Sequence, residues 1–304
     1  MIRGKAGAAV VSIISNSALI VLKVAAGLIT GSIAILTEAL HSALDLMASI
    51  IALVSIRRAE QPPDADHTYG HEKTESLGAG VEGILILIGA AVIVFEASRR
   101  LSGDHELQSL GIGIAAIVVS IVTNLGVSAF LGRRAREYDS PALEGDAAHL
   151  FTDALSSIGV LIGLVAVELT DKPVFDAIAA ILVALVILLT GVRIVNRSGR
   201  ALIDEAPPPA ELDRIEALIA AAAIPEMLGY HKLRARRAGA RRWIDLHVQF
   251  RDGTTLERAH EAAHQLRDAI RAELPRADVL IHVEPESSLR EMENSPFRWG
   301  GSGD

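Results

Sequence analysis

The chain has 304 residues, of which 50% are hydrophobic and 22% charged, with a net charge of −8 and no cysteine. So much apolar content excludes an ordinary soluble domain, and so many charges exclude a chain lying wholly within a membrane; together they indicate a membrane part and a soluble part. The negative balance excludes a general nucleic-acid binder, and the missing cysteines exclude disulfides and thiolate metal sites, leaving His, Asp, Glu and neutral oxygens to hold any metal.

Arg3 and Lys5 precede an apolar run that continues to about Ile29 without a cleavage signal, so it reads as a first membrane helix rather than a signal peptide. With this run, at about 7–29, six stretches come near the ~20 residues needed to span a bilayer. The other five lie at about 33–56, 77–100, 108–131, 144–168 and 174–195. Basic residues gather at Arg3 and Lys5, at Arg57, Arg58 and Lys73, at Arg133, Arg134 and Arg136, and at Arg193, Arg197 and Arg200. All four groups fall on one side of a six-span arrangement, which places both termini in the cytoplasm. Arg99 and Arg100, beside Asp104 and Glu106, run against this and are outnumbered.

The second and fifth spans each carry a repeated pattern, His41-x-x-x-Asp45 and His149-x-x-x-Asp153. Residues four apart on a helix are neighbours, so each pattern offers an imidazole nitrogen and a carboxylate oxygen to one point. Two such helices face to face supply four ligands, the number and kind that tetrahedral Zn²⁺ accepts. A charge at the bilayer centre costs roughly 2.5–3.5 kcal/mol on insertion scales, so ionisable groups at that depth point to function. A lone histidine there is often a packed core residue; two matched pairs with carboxylates are not explained by packing. Asp146 and Glu38, three residues before His149 and His41, read either as partners orienting those imidazoles or as residues nearer the membrane surface, the latter being preferred. Asn16, Lys23, Glu82, Glu96 and Asn124 read as interhelical hydrogen-bonding or snorkelling residues. Asp64, His67 and His71 follow in the loop after the second span, where spacing alone indicates solvated side chains.

Pro207-Pro208-Pro209 ends the last membrane helix and its extension. A soluble unit of about 80 residues follows, read as helix over about 210–222, strands over 228–237 and 241–250, helix over about 256–273 and strand over 278–284. Ile244, Leu246, Val248 and Phe250 alternate with Asp245, His247 and Gln249, giving one apolar and one polar face; Ile281 and Val283 alternate with His282 and Glu284 in the same way. The tail over 287–304 is polar and without periodicity, as in a disordered segment. His260-Glu261-Ala262-Ala263-His264 has the zinc-protease pattern, yet a domain this small shows no third-ligand motif or substrate cleft, so a protease is rejected.

The stretches EALHSALD, HTYGHEKTE, GDAAHLFTDALSS and IHVEPE resemble the cation diffusion facilitator family of divalent-metal transporters, a resemblance that covers the chain to about Pro285. It implies a six-helix membrane bundle over 1–206 and a cytoplasmic, ferredoxin- or metallochaperone-like α+β domain over 207–286 that dimerises. His41, Asp45, His149 and Asp153 match the family's transport site in its zinc-preferring form. Asp64, His67 and His71 match a second site at the membrane boundary, and His231, His247, His260, His282 and Glu284 match a binuclear zinc cluster, with Glu284 standing where close relatives have Asp. The implied activity is not enzymatic: it is efflux of Zn²⁺ from the cytoplasm in exchange for protons by alternating access, in a homodimer in a bacterial plasma membrane, with Zn²⁺ also a regulatory ligand. An Fe²⁺ or Mn²⁺ exporter, one of broad Cd²⁺ or Co²⁺ range, and a membrane metal sensor that does not transport remain as alternatives.

Overall fold

The computed structural model describes residues 4–30, 33–100, 111–170, 174–274 and 276–288; at 30, 33–38, 40, 41, 44, 96, 99, 100, 111–114, 116, 164, 168, 176 and 177 it describes the backbone alone. The chain divides into two compact units, Met1–Ile203 and Asp204–Asp304. The first holds six helices: α1 (Lys5–Thr30), α2 (Ile33–Ala59), α3 (Lys73–Arg100), α4 (Gly111–Tyr138), α5 (Pro141–Thr170) and α6 (Val174–Leu202). At 26 to 30 residues each, they are about 39–45 Å long, enough to cross a bilayer. Among the described residues α1, α3, α4, α5 and α6 are also apolar enough to do so.

The distribution of side chains is that of a membrane bundle. Ile14, Leu28, Val92, Phe95, Ile162 and Leu189 are exposed, while Ser12, Asn16, Ser49, Glu75, Glu82 and Asp146 are buried. Lipid accepts the former, and the bundle interior must satisfy the latter. α5 packs against all five other helices, and α3 runs along α6. Two glycines set the α3–α6 distance. A Cβ on Gly83 would come within 2.8 Å of the Val195 side chain and 3.1 Å of its backbone nitrogen, and one on Gly191 within 2.8 Å of Leu87.

α3 starts four residues before the predicted span because its first turn is polar yet buried. Lys5 Nζ lies 2.6 Å from Glu75 Oε1, and the Ser140 hydroxyl donates to the same carboxylate. Ser140 also caps α5 by accepting from Leu143 N at 3.4 Å, with Pro141 at the position where a missing N–H costs nothing. α4 and α6 run past their predicted ends because Arg133–Arg136 and Arg193–Arg200 continue the helices after the apolar stretch stops.

The second unit holds α7 (Pro209–Ala221), β1 (Met227–Ala238), β2 (Arg241–Phe250), α8 (Leu256–Glu273) and β3 (Ala277–Pro285), each within about three residues of the predicted bounds. The sheet order is β1-β2-β3. β1 and β2 form an antiparallel hairpin, and β3 returns parallel to β2 through α8, the crossover that parallel pairing requires. Ile244, Leu246 and Val248 pack with Ala259, Ala262, Leu266 and Ile270 of α8 and with Ile215 and Ile219 of α7. Both helices therefore lie over the apolar face of the sheet and, among the described residues, leave its other face uncovered. β1 is interrupted by a bulge between His231 and Arg234, with Lys232 at φ 50°; the sequence reading had an unbroken strand. Of the tail, residues from 289 onward lie outside the described residues.

Replacing Gly83 by Ala should overpack the α3–α6 seam and destabilise the bundle by about 1–3 kcal/mol, seen as a lower thermal midpoint of the detergent-solubilised protein. Gly89→Ala, whose Cβ would meet nothing within 4 Å, should leave that midpoint unchanged or raise it.

Candidate metal sites

In the membrane unit, α2 and α5 bring Asp45, His149 and Asp153 together, with one ligand atom of each within 4.8 Å of the others. His149 Nε2 lies 3.4 Å from Asp45 Oδ1 and 3.5 Å from Asp153 Oδ2. Both ring nitrogens are buried and neither makes a hydrogen bond among the described residues. The separations exceed a normal N–H···O bond. They equal the edge of a tetrahedron whose corners stand about 2.0–2.2 Å from a central ion, which gives about 3.3–3.6 Å between ligand atoms. The His41 side chain, the fourth predicted ligand, falls outside the described residues, as does that of Glu38.

Asp146 lies in the interior of the bundle. It is fully buried, and its Oδ1 accepts from Ser12 Oγ at 3.1 Å and Ser49 Oγ at 3.0 Å. Ser12 and Ser49 are 2.8 Å apart, and Asn16 Nδ2 donates to Ser49 at 2.9 Å. The Ser12 and Asn16 spacing on α1, four residues apart, was the available signal for this network. Asn16 and Lys23 are interhelical hydrogen bonders as expected, Lys23 donating to Ser42 at 2.8 Å. Glu82 is not: both its oxygens are buried without a hydrogen-bond partner among the described residues, and Asn124 Oδ1 is likewise without one. Neither the depth nor the partnering of these groups follows from hydropathy. The Glu96 side chain is outside the described residues.

The loop residues also converge. Asp64 Oδ1 lies 3.1 Å from His67 Nδ1 and Oδ2 lies 3.2 Å from His71 Nε2, with the two rings 4.5 Å apart. Asp64 accepts from the backbone N–H of His67 at 2.7 Å and of Asp66 at 3.1 Å, an Asx turn that fixes the carboxylate. Gly70 at φ 86° then returns the chain to His71, which is buried at the entry to α3. What burial Asp64 has pushes its carboxyl up, but the His67 hydrogen bonds and the charges of His71 and His67 hold it below the ordinary carboxylate value.

On the bare face of the sheet, His231 stands opposite His247 across β1–β2, and His247 opposite His282 across β2–β3. The three imidazoles form one row, with ring centroids 5.1 and 4.7 Å apart. Glu284 lies beneath it: Oε1 is 2.6 Å from His247 Nδ1 and 3.5 Å from His282 Nε2, and Oε2 is 3.2 Å from His231 Nε2. The longer Glu side chain thus reaches all three rings. Gln249, two residues after His247 on the same face, meets His231 Nδ1 at 3.0 Å; the strand alternation marked its face, though not its role. Burial pushes the His231 imidazole below its ordinary value; Glu284 opposes this, and the charges of His247, Lys232 and His282 reinforce it. A neutral imidazole is the form that binds metal. His260 does not join this row. It is exposed on α8 with its ring 4.1 Å from that of His264, and α8 packs on the opposite, apolar face of the sheet.

Residues 9–203 match the cation efflux transmembrane domain, and residues 207–286 the cation efflux protein cytoplasmic domain. The chain belongs to the cation diffusion facilitator family. An uncharacterized transporter of Synechocystis is 31% identical over 280 residues, 91% of this chain and 89% of the relative. The cation-efflux pump FieF of Klebsiella pneumoniae is 31% identical over 280 residues, 92% of each chain. The chain is also similar to the metal-bound C-terminal domain of the CzcD transporter from Thermotoga maritima, at 28% identity over 26% of this chain and 94% of that one, with a TM-score of 0.24. This cation diffusion facilitator is thus an integral membrane protein for divalent-metal efflux, a transporter and not an enzyme.

Imidazoles ligate only when neutral. The Zn²⁺ affinity of the full chain should fall as the pH is lowered, because a protonated imidazole cannot ligate. The His231 contribution should persist below the ordinary imidazole pKa of about 6.5 because its own is lowered. Equilibrium dialysis of the full chain, with His247→Ala as the variant lacking the central ring, should show this pH dependence shrink with the row's contribution.

Proposed function

We propose that this cation diffusion facilitator exports Zn²⁺ from the cytoplasm in exchange for protons, with His41, Asp45, His149 and Asp153 as its transport site. The observation that carries the reading is the buried His149 ring, without a hydrogen bond among the described residues and set between carboxylates of two helices at tetrahedral-edge distances. Nitrogen and carboxylate donors without sulfur suit Zn²⁺. Because each ligand must lose its proton to bind, metal and protons compete for one site, and alternating its exposure between the two sides couples their opposite movement.

Asp64, His67 and His71 serve in this proposal as a boundary metal site, and His231, His247, His282 and Glu284 as a regulatory one. The cytoplasmic unit holds two copies together as a homodimer. His260, separated from the row by the thickness of its own domain, reaches such a cluster only from a second copy. Basic residues at one end of the spans support a plasma-membrane arrangement with both termini cytoplasmic.

Inside-out vesicles with an imposed pH gradient test the reading. His149→Ala and Asp153→Ala should each reduce Zn²⁺ uptake by at least the roughly 10–100-fold that loss of an outer partner of a metal ligand costs. Parent-like uptake by Asp153→Ala would sink the assigned site. Competition among Zn²⁺, Cd²⁺, Fe²⁺ and Mn²⁺ in the same vesicles should rank Zn²⁺ first; preference for Fe²⁺ or Mn²⁺ overturns the metal while leaving efflux intact.

A further inference from the structure

Two edges between ligand atoms are seen among the described residues of the transport site, and they are set in different ways. The 3.5 Å edge from His149 Nε2 to Asp153 Oδ2 lies within α5 and follows from the four-residue spacing on one helix. The 3.4 Å edge from His149 Nε2 to Asp45 Oδ1 crosses from α5 to α2, so its length depends on how those two helices are held. Apolar side chains such as Ile56 of α2 and Leu143 and Leu150 of α5 share one buried cluster there. Apolar burial is non-directional, however, and draws helices together without fixing their register.

A directional contact joins the same two helices close to this edge. Ser49 of α2 lies one turn after Asp45, Asp146 of α5 lies three residues before His149, and Ser49 Oγ is 3.0 Å from Asp146 Oδ1. Both residues are fully buried. Two side chains of α1 support the contact. Asn16 Nδ2 donates to Ser49 Oγ at 2.9 Å, and Ser12 Oγ lies 2.8 Å from Ser49 Oγ and 3.1 Å from Asp146 Oδ1. A hydroxyl has one proton and two acceptor positions. Whichever of its two neighbours Ser12 donates to, Ser49 has one proton to give, and Asp146 Oδ1 is nearer to it than the Asp45 carbonyl oxygen at 3.3 Å. One side chain thus ties α1, α2 and α5 together a single turn from two of the ligands.

We propose that Ser49 and Asp146, with Ser12 and Asn16 behind them, are positioning residues that set the metal selectivity of the transport site. This rests on the assignment of Asp45, His149 and Asp153 as ligands made above. The four residues act through the helices and not as ligands. They hold α2 and α5 at the separation where the Asp45–His149 edge fits an ion with bonds of about 2.0–2.2 Å. Cd²⁺ has the charge of Zn²⁺ and a larger radius, and a larger ion needs a longer edge. Because the edge within α5 is set by its own helix, the extra length falls on the edge between helices. Lengthening that edge pulls Ser49 away from Asp146, and hydrogen bonds weaken steeply when stretched or bent. The brace therefore opposes the larger ion while leaving the smaller one unstrained.

Initial rates of Zn²⁺ and Cd²⁺ uptake by the full chain in proteoliposomes, over a range of metal concentrations, test this. Ser49→Ala and Asp146→Ala should each raise the KM for Zn²⁺ by about tenfold, the low end of what loss of a group orienting a metal ligand costs. The KM for Cd²⁺ should change less, so the preference for Zn²⁺ falls several-fold with kcat little altered. Asp146→Asn keeps an oxygen for the two hydroxyls and should regain most of the preference lost in Asp146→Ala. If Asp146→Ala does not fold, Ser12→Ala and Ser49→Ala, each deleting a single oxygen, carry the comparison. A general structural defect lowers uptake of both metals together, so an unchanged preference in the alanine variants overturns the brace. An Asp146→Asn protein with as little preference as Asp146→Ala overturns it too, as does a parent that does not discriminate between the two ions. Parent-like Zn²⁺ uptake by His149→Ala overturns instead the ligand assignment, which separates the two failures.

Discussion

Everything inside the membrane unit answers to one constraint: a polar group that leaves water for the interior of a bundle in lipid has to find a partner within the protein. The six helices are held by apolar packing and by glycine-mediated close approach, but their relative positions are specified by where the buried polar groups meet. Lys5 ties the start of α1 to Glu75 on α3, and Ser140 ties the start of α5 to the same carboxylate. About two turns further along, Ser12 of α1 and Ser49 of α2 converge on Asp146 of α5. α5 is the common member of these contacts, in keeping with its packing against every other helix of the unit. The helix that carries His149 and Asp153 is therefore also the one on which the rest of the bundle closes.

Against that background, the groups that escape the constraint carry the information. Among the described residues, His149 has two buried nitrogens with no hydrogen bond, and Glu82 two such oxygens. Leaving a buried donor or acceptor unmade costs about 1–3 kcal/mol, and more for a charged group. A fold that gives Asp146 Oδ1, Asn16 and Lys23 their hydrogen bonds nearby shows no general inability to provide partners. The soluble unit solves a related problem differently. Its helices cover only one face of the sheet, so the uncovered face is free to align three imidazoles at one register over a single carboxylate. There the strand pairing itself does the positioning, since directly opposed residues lie about 4.5–5.5 Å apart.

Most of the architecture was legible because it rests on periodicity and composition. Apolar runs of bilayer length marked six helices, and alternation around Ile244 and Ile281 marked the strands and their polar faces. The bounds that shifted did so where polar residues are buried, as at Glu75 and Ser76, or where basic residues prolong a helix, as at Arg133 to Arg136. The bulge after His231 left no trace in a segment already rich in alternating charge. His260 was grouped with the sheet histidines by family resemblance alone, whereas the helix that bears it packs on the other side of the sheet.

The sequence by itself determined the residue types available for chemistry and the helix or strand face each occupies, because spacings of four and of two are properties of the local backbone. It thereby paired His149 with Asp153 and set His247 on the polar face of its strand. Only the tertiary structure decided which faces meet, and so which buried groups are satisfied. Asp45 reaches His149 because α2 packs on α5, Asp146 Oδ1 is hydrogen-bonded because α1 and α2 both present serines to it, and Glu82 lies against Gly145 where the described residues of α3 and α5 offer it no donor. Those outcomes depend on contacts between residues tens of positions apart, for which no short-range pattern in the chain is a proxy.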